Sequence, residues 1–276
     1  MDKIDQLDWT AQFSLKSYGV RIGIRSNRPN GLELVRPHLP RQHELMALPV
    51  VDRLYSIVIA GNYGRADSGR VNLLYADKET IARSRKLDDV LERLESDLRL
   101  FVAEVARHRV FVHAGVVGWK GKAIVVPGRS YSGKSTLVSE LVKAGATYYS
   151  DEYAVFDGRG RVHPFPKPLE MRSEGAFKQT KVEVARLGGR TGSKPLPVGL
   201  VVVTQYKTGA RWRPREISNG QAVLALLANT VSARRDPDKA LGALQKVVAT
   251  AQSLKGVRGD AERIAHILLA TLEKNR

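Results

Sequence analysis

Residues 123–136, AIVVPGRSYSGKST, restrict the fold of this chain more than any other stretch. Ala123, Ile124, Val125 and Val126 read as a short buried strand, Pro127 closes it, and a glycine-rich turn follows. Beyond the turn Leu137, Val138, Leu141 and Val142 recur at helical spacing. A strand that feeds a helix through a two-glycine turn belongs to an α/β protein. Residues 128–135, GRSYSGKS, also match the P-loop pattern G-x-x-x-x-G-K-[ST] in the setting that pattern needs. The first N–H groups of a helix have no carbonyl to bond, and the helix dipole is positive there, so an anion is held. Gly128 and Gly133 let the backbone curl around phosphate oxygens without a Cβ in the way. The expected nucleotide contacts are Gly128, Arg129, Ser130, Tyr131, Ser132, Gly133, Lys134, Ser135 and Thr136. Lys134 reaches β- and γ-phosphates and the Ser135 hydroxyl ligates Mg²⁺, so ATP and Mg²⁺ are the expected cofactors.

At 276 residues the chain can hold one large domain, or a small domain and a medium one. It has no cysteine, which excludes disulfides and thiolate metal sites. The start, MDKIDQLDWT, is polar and acidic, and no later run reaches membrane-spanning length. A cytoplasmic protein with no membrane attachment is the expectation. The net charge of +17 is uneven: residues 1–110 carry 18 Lys/Arg and 15 Asp/Glu, and residues 111–276 carry 27 and 13. A basic second half suits a polyanion, and ATP is one. The basic residues are scattered with no compact run, which argues against nucleic acid as the partner.

The first third reads as a strand-rich unit, with strands at 11–24, 32–35, 53–60 and 71–75 separated by turn residues such as Asn30-Gly31. His38 and His43 lie among prolines and read as surface-loop residues. An amphipathic helix follows, carried by Leu87, Val90, Leu91, Leu94, Leu98, Phe101, Val102 and Val105. Then come a strand at 110–117, a turn at Lys120-Gly121, the strand–turn–helix above with Gly145 as its C-terminal stop, and a strand at 146–149. Residues 186–197, RLGGRTGSKPLP, read as a mobile loop, 198–204 as a buried strand, and 219–231, 236–254 and 260–274 as helices.

A phosphate loop needs carboxylates to place Mg²⁺ and, in a kinase, to take the acceptor's proton. Asp151 and Glu152 end an apolar strand, 16 and 17 residues after Ser135. Glu170 and Arg172 alternate along a short strand and so share one face, where one suits metal and the other phosphate; a solvated strand face explains them equally well. His113 stands alone on an apolar strand, a position that also suits a hydrogen-bonded core histidine.

Together these residues resemble the catalytic domain of the bacterial HPr kinase/phosphorylase family. His113 lies 15 residues before Gly128, residues 128–135 match that family's P-loop, Asp151-Glu152 stand for its acidic pair, and Leu169-Glu170-Met171-Arg172 resemble its Leu-Glu-Ile-Arg segment. The resemblance covers roughly residues 110–205. It implies an α/β fold with a phosphoenolpyruvate carboxykinase-like mixed sheet carrying the P-loop over 86–276, preceded by the small strand-rich unit over 1–85. It also implies catalytic roles for His113, Lys134, Asp151, Glu152 and Arg172, with Ser135, Asp151 and Glu170 at the metal. Glu152 is the implied proton acceptor, though it and Asp151 could exchange roles. The chain departs from the family at Thr136, where Glu is usual, and at Ser173, where glycine is usual, and nothing aligns with the family's later arginine motif. The expected activity is therefore transfer of a γ-phosphoryl group to a hydroxyl, foremost a Ser of a protein or peptide. A small-molecule hydroxyl, or a P-loop ATPase or nucleotide-sensing module without transfer, are the alternatives. Residues 186–197 and the Trp-containing segment 207–215 are the expected acceptor contacts. A homo-oligomer is compatible with the sequence and not specified by it.

Overall fold

The computed structural model describes residues 4, 7–40, 42–47, 50–61, 71–128, 132–172 and 179–274. The chain is mixed α/β and divides into two compact units, Met1–Arg107 and His108–Arg276. The division falls beyond the sequence-based boundary at 85/86, because the long helix belongs to the first unit.

That first unit contains β1 (Ala11–Ser17), β2 (Val20–Ser26), α1 (Gly31–Val35), β3 (Glu44–Met46), β4 (Arg53–Val58), β5 (Asn72–Ala76), β6 (Glu79–Ser84) and α2 (Leu87–Val105). Its sheet runs β3-β1-β2-β4-β5-β6, antiparallel except between β2 and β4. The β1–β2 and β5–β6 hairpins turn at Tyr18 and Asp77, whose positive φ angles of 49° and 53° match the strand twist. Helix α2 buries Val90, Leu91, Leu94, Leu98 and Phe101. It is tied to β4 by Tyr55 Oη donating to Asp97 at 2.8 Å and by Arg53 lying 3.8 Å over the Phe101 ring. Residues 32–35, expected as a strand, form α1: Gly31 packs where a Cβ would come 2.1 Å from Ser26 Oγ, and this fixes the helix start against β2. His38, expected in a surface loop, is half-buried and pairs with Glu95 of α2 at 3.1 Å.

The second unit contains β7 (Val110–Trp119), β8 (Lys122–Pro127), α3 (Lys134–Lys143), β9 (Thr147–Ser150), β10 (Tyr153–Phe156), β11 (Val162–His163), β12 (Leu169–Arg172), β13 (Gln179–Val182), β14 (Val198–Tyr206), β15 (Arg215–Glu216), α4 (Asn219–Leu227), α5 (Pro237–Ala249), β16 (Gln252–Arg258) and α6 (Ala261–Lys274). Its main sheet runs β11-β10-β7-β8-β14-β16-β15, with β9 also on β7, and β12 pairs with β13 apart. Strands β8, β14 and β16 are parallel, so their C-terminal ends share one edge. The strands alternate between two cores. Val110, Val112, Ala123, Val125 and Val201 face α4 and α5, whereas Ile124, Val126, Leu200 and Val202 face α3 and α6.

Three expectations fail here. The helix read over 236–254 stops at Ala249, and residues 252–258 become β16, because pairing with β14 satisfies their backbone more fully than another helical turn. The helix read over 219–231 stops at Leu227, and Thr230 bridges to Val112. Residues 186–197 are knitted to the sheet instead of standing clear of it. Tyr148 exchanges backbone bonds of 2.8 Å with Arg190 and Gly192, and Leu196 does so with Val162 at 2.9 and 3.0 Å.

Candidate phosphate site

Helix α3 is placed by its two ends. Gly133 is its N-terminal cap, with φ 78° in the left-handed region, so the chain leaves the loop and enters the helix in one step. Leu137 N–H makes the first intrahelical bond, to Gly133 O at 3.2 Å, leaving the N–H groups of Lys134, Ser135 and Thr136 without an intrahelical carbonyl. At the far end Gly145, φ 98°, bonds to Val142 O and Ala146 bonds to Leu141 O, closing the helix in a Schellman motif. The helix lies close on β7 because residue 115 is glycine: a Cβ there would come 2.5 Å from Val138.

The 15-residue spacing from His113 to Gly128 is a hairpin. Trp119 pairs with Lys122, Ala114 with Pro127, and Gly128 N–H donates to His113 O at 3.1 Å. Gly128 is close to the returning loop, for a Cβ on it would stand 2.8 Å from Ser132 Oγ. Arg129, Ser130 and Tyr131 lie outside the described residues. Thr136 is exposed on the first turn of α3.

Lys134 is 9 % exposed, and burial pulls its ammonium down to about 8 against the opposing pull of the Asp151 charge. Asp151, 6 % exposed, accepts from Ser135 Oγ at 3.0 Å and from Tyr148 Oη at 3.0 Å. Burial pushes its carboxyl up, opposed by the Lys167 charge and the two hydroxyls. Asp151 and Glu152 sit in the β9–β10 turn, held by Ser150 Oγ, which accepts the N–H groups of Glu152 and Tyr153 at 3.1 and 3.0 Å. Ala114 N–H donates to Glu152 O at 3.1 Å, so the acidic pair lies beside the strand that carries His113. Burial lowers the His113 ring below its usual range, the Glu152 charge raises it, and the Lys134 charge lowers it further. Glu170 joins through its N–H, which reaches Asp151 Oδ2 at 3.4 Å. Arg172 ends β12, and its side chain lies outside the described residues.

Three residues that the sequence did not single out belong to this locus. Lys167 Nζ stands 3.3 Å from Glu152 Oε2 and 3.1 Å from Glu170 Oε1, joining two carboxylates through one ammonium. Its only signal in the sequence is its setting, Pro166-Lys167-Pro168, three residues before Glu170. Tyr148 holds Asp151 and also reaches Lys167 O at 3.0 Å. Arg258 Nη2 donates to Gly133 O at 2.6 Å from the end of β16, a strand whose first residues were read as part of a helix. Of the two segments expected to contact an acceptor, 207–215 starts at the same sheet edge, with Lys207 N–H donating to Arg258 O at 2.9 Å. Among the described residues no group of three or more His, Asp or Glu side chains could hold a metal ion by itself. No helix among them is long and apolar enough to cross a membrane.

No family model matches the chain, and no curated protein matches it. Among solved structures it is similar to that of the Hpr(Ser) kinase/phosphatase from Coxiella burnetii, with 13% identity, 60% of this chain and 94% of that chain covered, and a TM-score of 0.31. A likeness that slight assigns neither family nor activity.

Proposed function

We propose that the chain is an ATP- and Mg²⁺-dependent kinase that transfers the γ-phosphoryl group to a hydroxyl acceptor, foremost a Ser of a protein or peptide. The observation that carries this reading is the 3.0 Å bond between Ser135 Oγ and Asp151. It sets the hydroxyl that follows the loop lysine against a buried carboxylate, a hard-oxygen pair suited to Mg²⁺ beside phosphates. The assignment to an HPr kinase-like domain with a phosphoenolpyruvate carboxykinase-like sheet belongs to the same reading and rests on the spacing of the sequence motifs.

The residues present fit both cofactors. Gly133 in the left-handed region, and a Gly128 with no space for a side chain, suit a loop wrapped on phosphates. Ser135, Asp151 and Glu170 would hold Mg²⁺, which when bound offsets negative charge on the phosphate oxygens. Lys134 binds the β- and γ-phosphates, and its buried ammonium recovers at the phosphates the solvation it lacks in the free protein. Glu152 takes the acceptor hydroxyl's proton on a carboxylate oxygen; the Lys167 ammonium at 3.3 Å holds that carboxylate in place. His113, kept neutral by burial, sits where it can tune that proton transfer.

The test is incubation with γ-labelled ATP, Mg²⁺ and lysate of the native host. Label should move to one component. Lys134→Ala should abolish the transfer, and Glu152→Gln should slow it by a factor on the order of 10²–10⁴. Unchanged turnover in Glu152→Gln would remove it from the role of base. A second reading, an ATPase or a nucleotide sensor without transfer, draws on Lys167, which engages both Glu152 and Glu170. ATP binding with phosphate release or no turnover, and no labelled product, would select it.

A further inference from the structure

Arg258 ends β16, paired in register with Tyr206 at the end of β14. Both stand at the edge where the parallel strands finish, the place where open α/β sheets bind ligands. From there Arg258 reaches the glycine-rich loop: Nη2 donates to Gly133 O at 2.6 Å, and the guanidinium carbon lies 5.6 Å from the Tyr206 ring centroid. The guanidinium fills the space a side chain at 133 would need, since a Cβ there would come 2.6 Å from Nη2.

The residue is 2 % exposed, yet its charge is not answered. Among the described residues no carboxylate lies within salt-bridge distance of it, and its Nε is buried without a hydrogen-bond partner. Arginine stays charged even where burial lowers its pKa, as it does here, so the protein keeps a dry cation facing one carbonyl. A buried charge is tolerated when a counter-charge shares its site. The described residues do not supply that counter-charge, and a phosphate at the start of α3 would. Lys134, the other buried cation of the loop, has the Asp151 charge acting on it.

We propose that Arg258 is a phosphate-binding residue: hooked to Gly133 by Nη2, it presents its charge and remaining N–H donors to an oxyanion of a phosphate chain held at the Gly133 cap of α3. The assignment rests on the nucleotide reading above and names a contact which that reading lacked. It makes Gly133 O the fixed point of the guanidinium, so loop and arginine are aligned together.

The test is calorimetric titration of the full chain with ATP and with inorganic pyrophosphate, each with Mg²⁺, over a series of KCl concentrations. Arg258→Gln should bind both probes about tenfold or more weakly, with a shallower fall in affinity as salt rises. Arg258→Lys keeps the charge and serves also if a buried amide unfolds the chain. It should stay within about threefold of wild type and retain the wild-type salt dependence. Wild-type affinity in Arg258→Gln would overturn the assignment alone. So would a weakened variant whose salt dependence equals that of wild type, because Arg258 would then only shape the loop. A folded Arg258→Lys that binds neither probe overturns it as well. Silence of the wild type toward both probes would sink the nucleotide reading and this assignment with it.

Discussion

At the scale of single residues, the site is a set of charges kept out of water, and Lys134 shows what that implies. Its free-state value of about 8 lies below that of an exposed lysine because burial penalises the ammonium. On the proposed reading phosphate binds the charged form, which would raise the bound value. The sign follows: ATP affinity should fall as pH rises through about 8, and binding at pH 8 should take up about half a proton. Heats of binding in buffers of different ionisation enthalpy measure that uptake; a flat response would place Lys134 away from the phosphates. Lys134, Ser135, Asp151 and Glu152 could be picked from the sequence because a strand–turn–helix pattern and an apolar strand ending in two acids carry local signals. Lys167 carried only its place between two prolines and Arg258 carried none; both are basic residues in a chain of net charge +17, with roles made by what the fold sets beside them.

At the scale of elements, β7, β8 and α3 form the working unit, and its tolerance is set by Gly115. A methyl group there would meet Val138 at 2.5 Å and Lys134 Cβ at 3.8 Å. Gly115→Ala should therefore push α3 off the sheet, cost roughly 1–3 kcal/mol and lower the urea midpoint, with ATP affinity falling as the loop tilts. An unchanged midpoint would mean that Val138 simply rotates aside. The β7–β8 hairpin and α2 were legible because the Lys120-Gly121 turn and a long apolar stripe are local, whereas 11–24, read as one strand, folds into the β1–β2 hairpin. Strand β16 was not: the apolar period of α5 continues through Val247, Val248 and Ala251 with no proline, and glycine comes only at 256. Only the neighbouring strands, β14 and β15, tell that segment to extend. Residues 32–35 failed the other way, a short apolar run whose helical form depends on packing against β2.

At the scale of the molecule, the described part of the candidate site lies within His108–Arg276, the unit with two cores on either face of one sheet. This segment made alone should bind ATP as the full chain does, while a chain ending before Gln252 should not, and retention on an ATP matrix would read both. The second expectation comes from the Arg258–Gly133 hydrogen bond, which spans 125 residues. Loop closure over that distance must precede the reward of the contact. On the ribosome, residues 128–135 emerge long before the strand that steadies them. On the proposed nucleotide reading, capture waits until β16 has been made, so a nascent chain that has not reached Arg258 should not sequester ATP while its helices are still docking.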